Sequence, residues 1–121
     1  PAMWNTLKGM LGGHDHDGAI RGLELLSDFG GLPKGGSADC YSDYGPVVKW
    51  ALFDRLLKSN ADYASLMITD IIDSTERINI PGTVGGKNWR FRLPWKLEDM
   101  PEPLQGECSR LRELIHTSGR G

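Results

Sequence analysis

The sequence lacks most of the features that announce a function. Its two cysteines, Cys40 and Cys108, stand far apart in no Cys-x-x-Cys or Cys/His spacing, so reduced thiols are expected rather than a disulfide or a zinc site. No apolar run approaches the roughly 18 residues of a membrane span, and no basic, apolar, small-residue series marks a secretory signal; the cytoplasm is the expected compartment. Neither charge sign dominates, with 14 Lys and Arg against 16 Asp and Glu and a net charge of −2. The signs are interspersed rather than blocked, and without a basic footprint no nucleic-acid partner is expected. There is no internal repeat and no low-complexity tract.

What is present is a series of apolar stripes separated by turn residues. Met3, Trp4, Leu7, Met10 and Leu11 recur at helical spacing, although Gly9, Gly12 and Gly13 weaken any element there. Ala19, Ile20, Leu23, Leu26 and Phe29 form a stripe with Asp17 as a plausible N-cap and Gly30-Gly31 as a stop, which predicts a helix over 17–29 within a first unit of 1–29. Residues 30–45 have the glycine-rich composition of a mobile loop. Pro46 suits a first helical turn, and Val48, Ala51, Leu52 and Leu56 continue as a helix over 46–60. The compact run Ala64-Ser-Leu-Met-Ile-Thr-Asp-Ile-Ile72 reads as a buried parallel strand over 64–72. Turn residues fill 73–95, and 96–118 reads as a terminal helical region broken at Pro101 and Pro103.

The densest ionisable cluster is His14-Asp15-His16-Asp17. A solvated turn capping the next helix, a metal site and a general base all compete for it. His116 lies far off in no ligand spacing, and no Ser or Cys nucleophile motif stands beside the cluster.

Glu76-Arg-Ile-Asn-Ile-Pro-Gly-Thr83, followed by Lys87-Asn-Trp-Arg-Phe-Arg-Leu93, adds a fourth reading. The pair resembles the C-terminal region of the amylomaltases, the 4-alpha-glucanotransferases of glycoside hydrolase family 77. The resemblance extends through His14-Asp15, Arg55-Leu-Leu-Lys-Ser59 and Ile68-Thr-Asp70 in the same order, over roughly residues 11–100 and most specifically 69–93. It implies an α/β fold, the C-terminal part of a (β/α)8 (TIM) barrel that is mostly helical with one or two strands. A whole barrel needs about 200 residues or more, and this chain has 121. The analogy would also put a barrel strand near 6–13, against the helical spacing there.

The resemblance further implies that Asp15 is the carboxylate stabilising the transition state and that His14 binds the same sugar ring. Hydrogen bonds to sugar hydroxyls that strengthen in an oxocarbenium-like transition state supply several kcal/mol. His16 and Gly18 depart from the family's commoner Asn and Thr. Asn79, Asn88 and Trp89 could border acceptor subsites, because loops after barrel strands form the active face; the bland alternative makes 78–93 an architectural turn with Trp89 packed under a rim. Trp4, Trp50 and Trp95 read as packing residues. Retaining exchange also needs two carboxyl groups about 5–5.5 Å apart, which the family carries upstream of anything present here, and no Arg-x-Asp element like that of its nucleophile occurs.

The resulting expectation is the C-terminal portion of an enzyme that transfers α-1,4-glucan segments between maltooligosaccharides without a cofactor, inactive alone. The alternative is a catalytically dead glycan-binding or regulatory module. A homodimer through exposed edges of strand 64–72, with Leu66, Ile68 or Ile71 near the interface, is expected in either case.

Overall fold

The computed structural model describes residues 1–34, 41–86 and 88–120, and its elements are all helical. They are α1 (Ala2–Met10), α2 (His16–Gly30), α3 (Pro46–Leu57), the single turn α4 (Ile68–Ile71) and α5 (Gln105–Thr117). The glycine-rich segment expected to be mobile lies in part outside the described residues, as does Cys40; Cys108 is a free, exposed thiol on α5.

Periodicity explains the first three helices. The 1–13 stretch follows its helical spacing, not the strand placed there by analogy, and α1 buries Trp4 against α2. On α2, Ala19 and Leu23 are fully buried, and the helix ends at Gly31 with φ 64. There Leu32 N donates to Ser27 O at 2.8 Å, the left-handed cap that glycine adopts without a Cβ penalty. α3 starts on Pro46 and is apolar on two sides. Val48 joins Trp4, Leu11, Ala19, Leu23 and Tyr41 in one cluster, whereas Phe53 and Leu57 form a second with Leu114 of α5. Each fully buried aliphatic side chain contributes about 1.5–3 kcal/mol.

Polar ties close the gaps between these layers. Trp4 Nε1 donates to Ser42 O at 3.0 Å and Lys8 Nζ to Tyr41 O at 2.8 Å, fixing residues 41–43 to α1. The Arg120 guanidinium donates to the carbonyls of Leu57, Ser59 and Ala61, the last two at 2.8 and 2.6 Å. It thereby satisfies carbonyls at and beyond the end of α3 that have no helical partner.

The α/β expectation is overturned: among the described residues there is no strand, and the structure is not part of a TIM barrel. Residues 64–67 lie outside any helix, with Met67 extended at φ −77 and ψ 139, yet extended backbone becomes sheet only beside a neighbour that takes its N–H and C=O groups. No such neighbour exists among the described residues. From Ile68 the backbone turns into α4, with Asp70 N and Ile71 N donating back to Met67 O at 3.0 and 3.2 Å. Leu66 and Ile71 pack on the Phe53–Leu57–Leu114 cluster, so the apolar run is consumed by helix packing. The homodimer argued from exposed strand edges loses its physical basis, because no strand offers an edge.

Candidate functional site

His14 and Asp15 lie in the exposed turn between α1 and α2. Asp15 is the N-cap of α2 at φ −106 and ψ 41; its backbone carbonyl accepts from Ala19 N at 3.0 Å, but its side chain makes no capping hydrogen bond. The carboxylate instead lies over Gly18, where a Cβ would stand 2.5 Å from Asp15 Oδ1. The threonine common in the family therefore could not replace Gly18 without displacing Asp15. His16 is engaged elsewhere, its Nδ1 paired with Leu11 O. Among the described residues no group of His, Cys, Asp and Glu is arranged to hold a metal ion.

The loop 78–89 is tied by one side chain. Asn88 Oδ1 accepts from Ile80 N at 2.7 Å, and Asn88 Nδ2 donates to Thr83 O at 3.1 Å and Thr83 Oγ1 at 2.9 Å. Thr83 Oγ1 in turn donates to Ile80 O at 2.7 Å, and Trp89 N to Ile78 O at 2.7 Å. The amide of Asn88 is thus committed to shaping the loop. Trp89, the next residue, sits at φ 60, a left-handed conformation costly for a bulky side chain and typical of sites that need it. Its ring is not packed under a rim: it is 77% exposed. An aromatic face held open to water on a braced loop can stack on the apolar face of a ligand ring.

Beyond Trp89 the backbone alternates. Arg90, Arg92, Pro94 and Lys96 are exposed while Phe91, Leu93 and Trp95 are half-buried. An open depression of about 510 Å³ is lined by Trp89, Arg90, Phe91 and Arg92. The near-balance of charge over the whole chain conceals a block here: from Arg77 to Leu97 run Arg77, Lys87, Arg90, Arg92 and Lys96 with no carboxylate.

A second concavity, of about 550 Å³, opens between α1, the end of α2, α3 and the 65–79 segment. Its walls are largely apolar, with Tyr44, Asp70 and Asn79 among the polar groups. Burial, with Asp70 and then Asp73 nearby, pushes the Tyr44 phenol far above its ordinary range. Beside it, Lys49 is 2% exposed, its Nζ donating to Asp73 Oδ2 at 2.7 Å and Ile71 O at 3.0 Å and lying 5.0 Å from the centre of the Trp50 ring. Asp73 reaches it from φ 56. Lys49 thereby fastens the α4 turn, and one wall of the groove, to α3.

The five residues singled out from sequence are not gathered in one place. Asn79 lies on the groove wall, but His14, Asp15, Asn88 and Trp89 do not line it. Among the described residues no hydrogen bond or ion pair joins His14 or Asp15 to the 78–89 loop. Sequence reasoning missed Lys49 and Tyr44, which carry no motif; it also missed the cationic block, which counting carboxylates between Glu76 and Glu98 would have found.

The model of the 4-alpha-glucanotransferase family matches residues 24–98, a stretch that contains α3, α4, the Asn88-braced loop and the cationic segment, and begins downstream of His14 and Asp15. No curated protein and no solved structure matches the chain. The matched stretch is well over half of the sequence, and the chain belongs to the 4-alpha-glucanotransferase family.

Proposed function

We propose that this chain supplies a glucan-binding surface of a 4-alpha-glucanotransferase, centred on the 78–92 loop, and does not by itself exchange glycosidic bonds. The observation that carries the reading is the exposure of Trp89 at a positive φ on a loop held by the Asn88 amide. A pre-ordered aromatic platform loses little conformational entropy when a sugar stacks on it. Asn79, within that loop, offers an amide on the wall of the apolar groove. In this reading His14 and Asp15, both open to solvent, grip a sugar ring once the nucleophilic and acid/base carboxylates that this chain lacks are supplied.

The test is an NMR titration of ¹⁵N-labelled protein with maltoheptaose, run beside an incubation with maltotriose. Saturable shifts centred on residues 78–92, including the Trp89 indole, with no new oligosaccharide lengths, are expected. Absence of shifts, shifts confined to other segments, or conversion of maltotriose to glucose and longer chains would each contradict the proposal.

A further inference from the structure

We infer that the exposed face of the 89–96 segment is an anion site for a phosphate monoester carried on a sugar, with Arg90 and Arg92 holding the phosphate and Trp89 the ring. This deepens the proposed function and rests on its reading of Trp89 as a sugar platform. Four observations converge on it.

First, Arg90 and Arg92 are both exposed, stand two residues apart on either side of half-buried Phe91, and line one depression. Two planar guanidinium forks at that spacing can converge on one tetrahedral phosphate, which each can meet with two N–H donors. Second, neither arginine nor Lys96 has an acidic partner among the described residues, so no ion pair must be broken to admit an anion. Third, no carboxylate occurs in the sequence from Arg77 to Leu97, so the chain neighbours of the two arginines add no negative charge. Fourth, the two arginines share their depression of about 510 Å³ with Trp89, which is 77% exposed. The site therefore offers a flat apolar face beside a doubly cationic edge. Neutral glucan needs only the first of these features. A hexose bearing a phosphate uses both.

Glucose 6-phosphate is the probe, measured by calorimetric titration against glucose and inorganic phosphate on the same protein. Hydrogen bonds to a charged group are strong enough that the phosphosugar should bind at least about tenfold tighter than glucose, and the ring contact should place it above inorganic phosphate. The advantage over glucose should vanish in Arg90→Gln/Arg92→Gln, and should shrink as pH falls through about 6, where the monoester loses its second charge. Maltoheptaose is titrated in parallel on the unaltered chain, which separates this inference from the glucan reading. Equal affinity for glucose and glucose 6-phosphate, inorganic phosphate binding as tightly as the phosphosugar, an unaffected double variant, or tighter binding of a single-stranded oligonucleotide would each overturn it. If maltoheptaose binds and glucose 6-phosphate gains nothing, the inference alone fails; if neither sugar binds, the glucan reading fails with it.

Discussion

Replacing Asp73 should cost far more than replacing Lys49, although the two form one ion pair. The Lys49 side chain is 2% exposed and that of Asp73 47%. Asp73→Ala leaves a buried ammonium with only Ile71 O and the Trp50 ring for company, and an uncompensated buried charge costs about 3 kcal/mol. Lys49→Met removes the charge, fills its space with a chain of similar length, and leaves a carboxylate that water already reaches. Its cost should stay near about 1 kcal/mol. At about 3–5 °C per kcal/mol for a domain of this size, Asp73→Ala should lower the melting temperature by about 10 °C and Lys49→Met by about 5 °C or less. Asp73→Gly should recover about 1 kcal/mol of the alanine loss, since position 73 sits at φ 56 and glycine bears that conformation without steric cost. Urea and thermal unfolding followed by circular dichroism would measure all three, and the double variant Lys49→Met/Asp73→Ala closes the cycle. If Lys49→Met is as damaging as Asp73→Ala, burial of the cation is not what makes this pair matter.

Two further outcomes follow from the site geometry. Asn88→Ala removes three hydrogen bonds at about 1 kcal/mol each, so amide exchange at Ile80 and Trp89 should accelerate while the global melting temperature barely moves; unchanged exchange at Ile80 would show that the loop is braced otherwise. The fold favours the neutral phenol of Tyr44, so this contribution to stability is intact below the ordinary phenol range near about pH 10 and declines above it as the unfolded chain ionises. Tyr44→Phe should flatten that alkaline decline in the urea midpoint between about pH 8 and about pH 11, and an identical decline in the variant would count against the assignment.

Helices α2 and α3 were legible because a 3.6-residue stripe is a strong signal, and Ala19, Leu23 and Val48 are buried as that stripe demands. What periodicity could not show is that α3 faces two clusters, so that Phe53 and Leu57 are buried as well and Lys49 lies between layers. The 64–72 run failed as a strand because short apolar runs fit either a strand or a buried helical turn, and pairing partners, not composition, decide between them. The loop motif was readable as a signature, but the division of labour inside it was not. Asn88 and Trp89 are adjacent in sequence, and only the folded loop makes the first an internal brace and the second an exposed face. His14 and Asp15 stood out as a charged cluster, yet nothing in their spacing could tell that Asp15 would lie over Gly18.

The most direct test of the account is a titration of the wild-type chain and Trp89→Ala with maltohexaose, followed by isothermal calorimetry. A saturable change in the wild type that is absent from a folded Trp89→Ala variant is the predicted result. Binding that survives loss of the Trp89 ring, or no binding by the wild type at all, would contradict it.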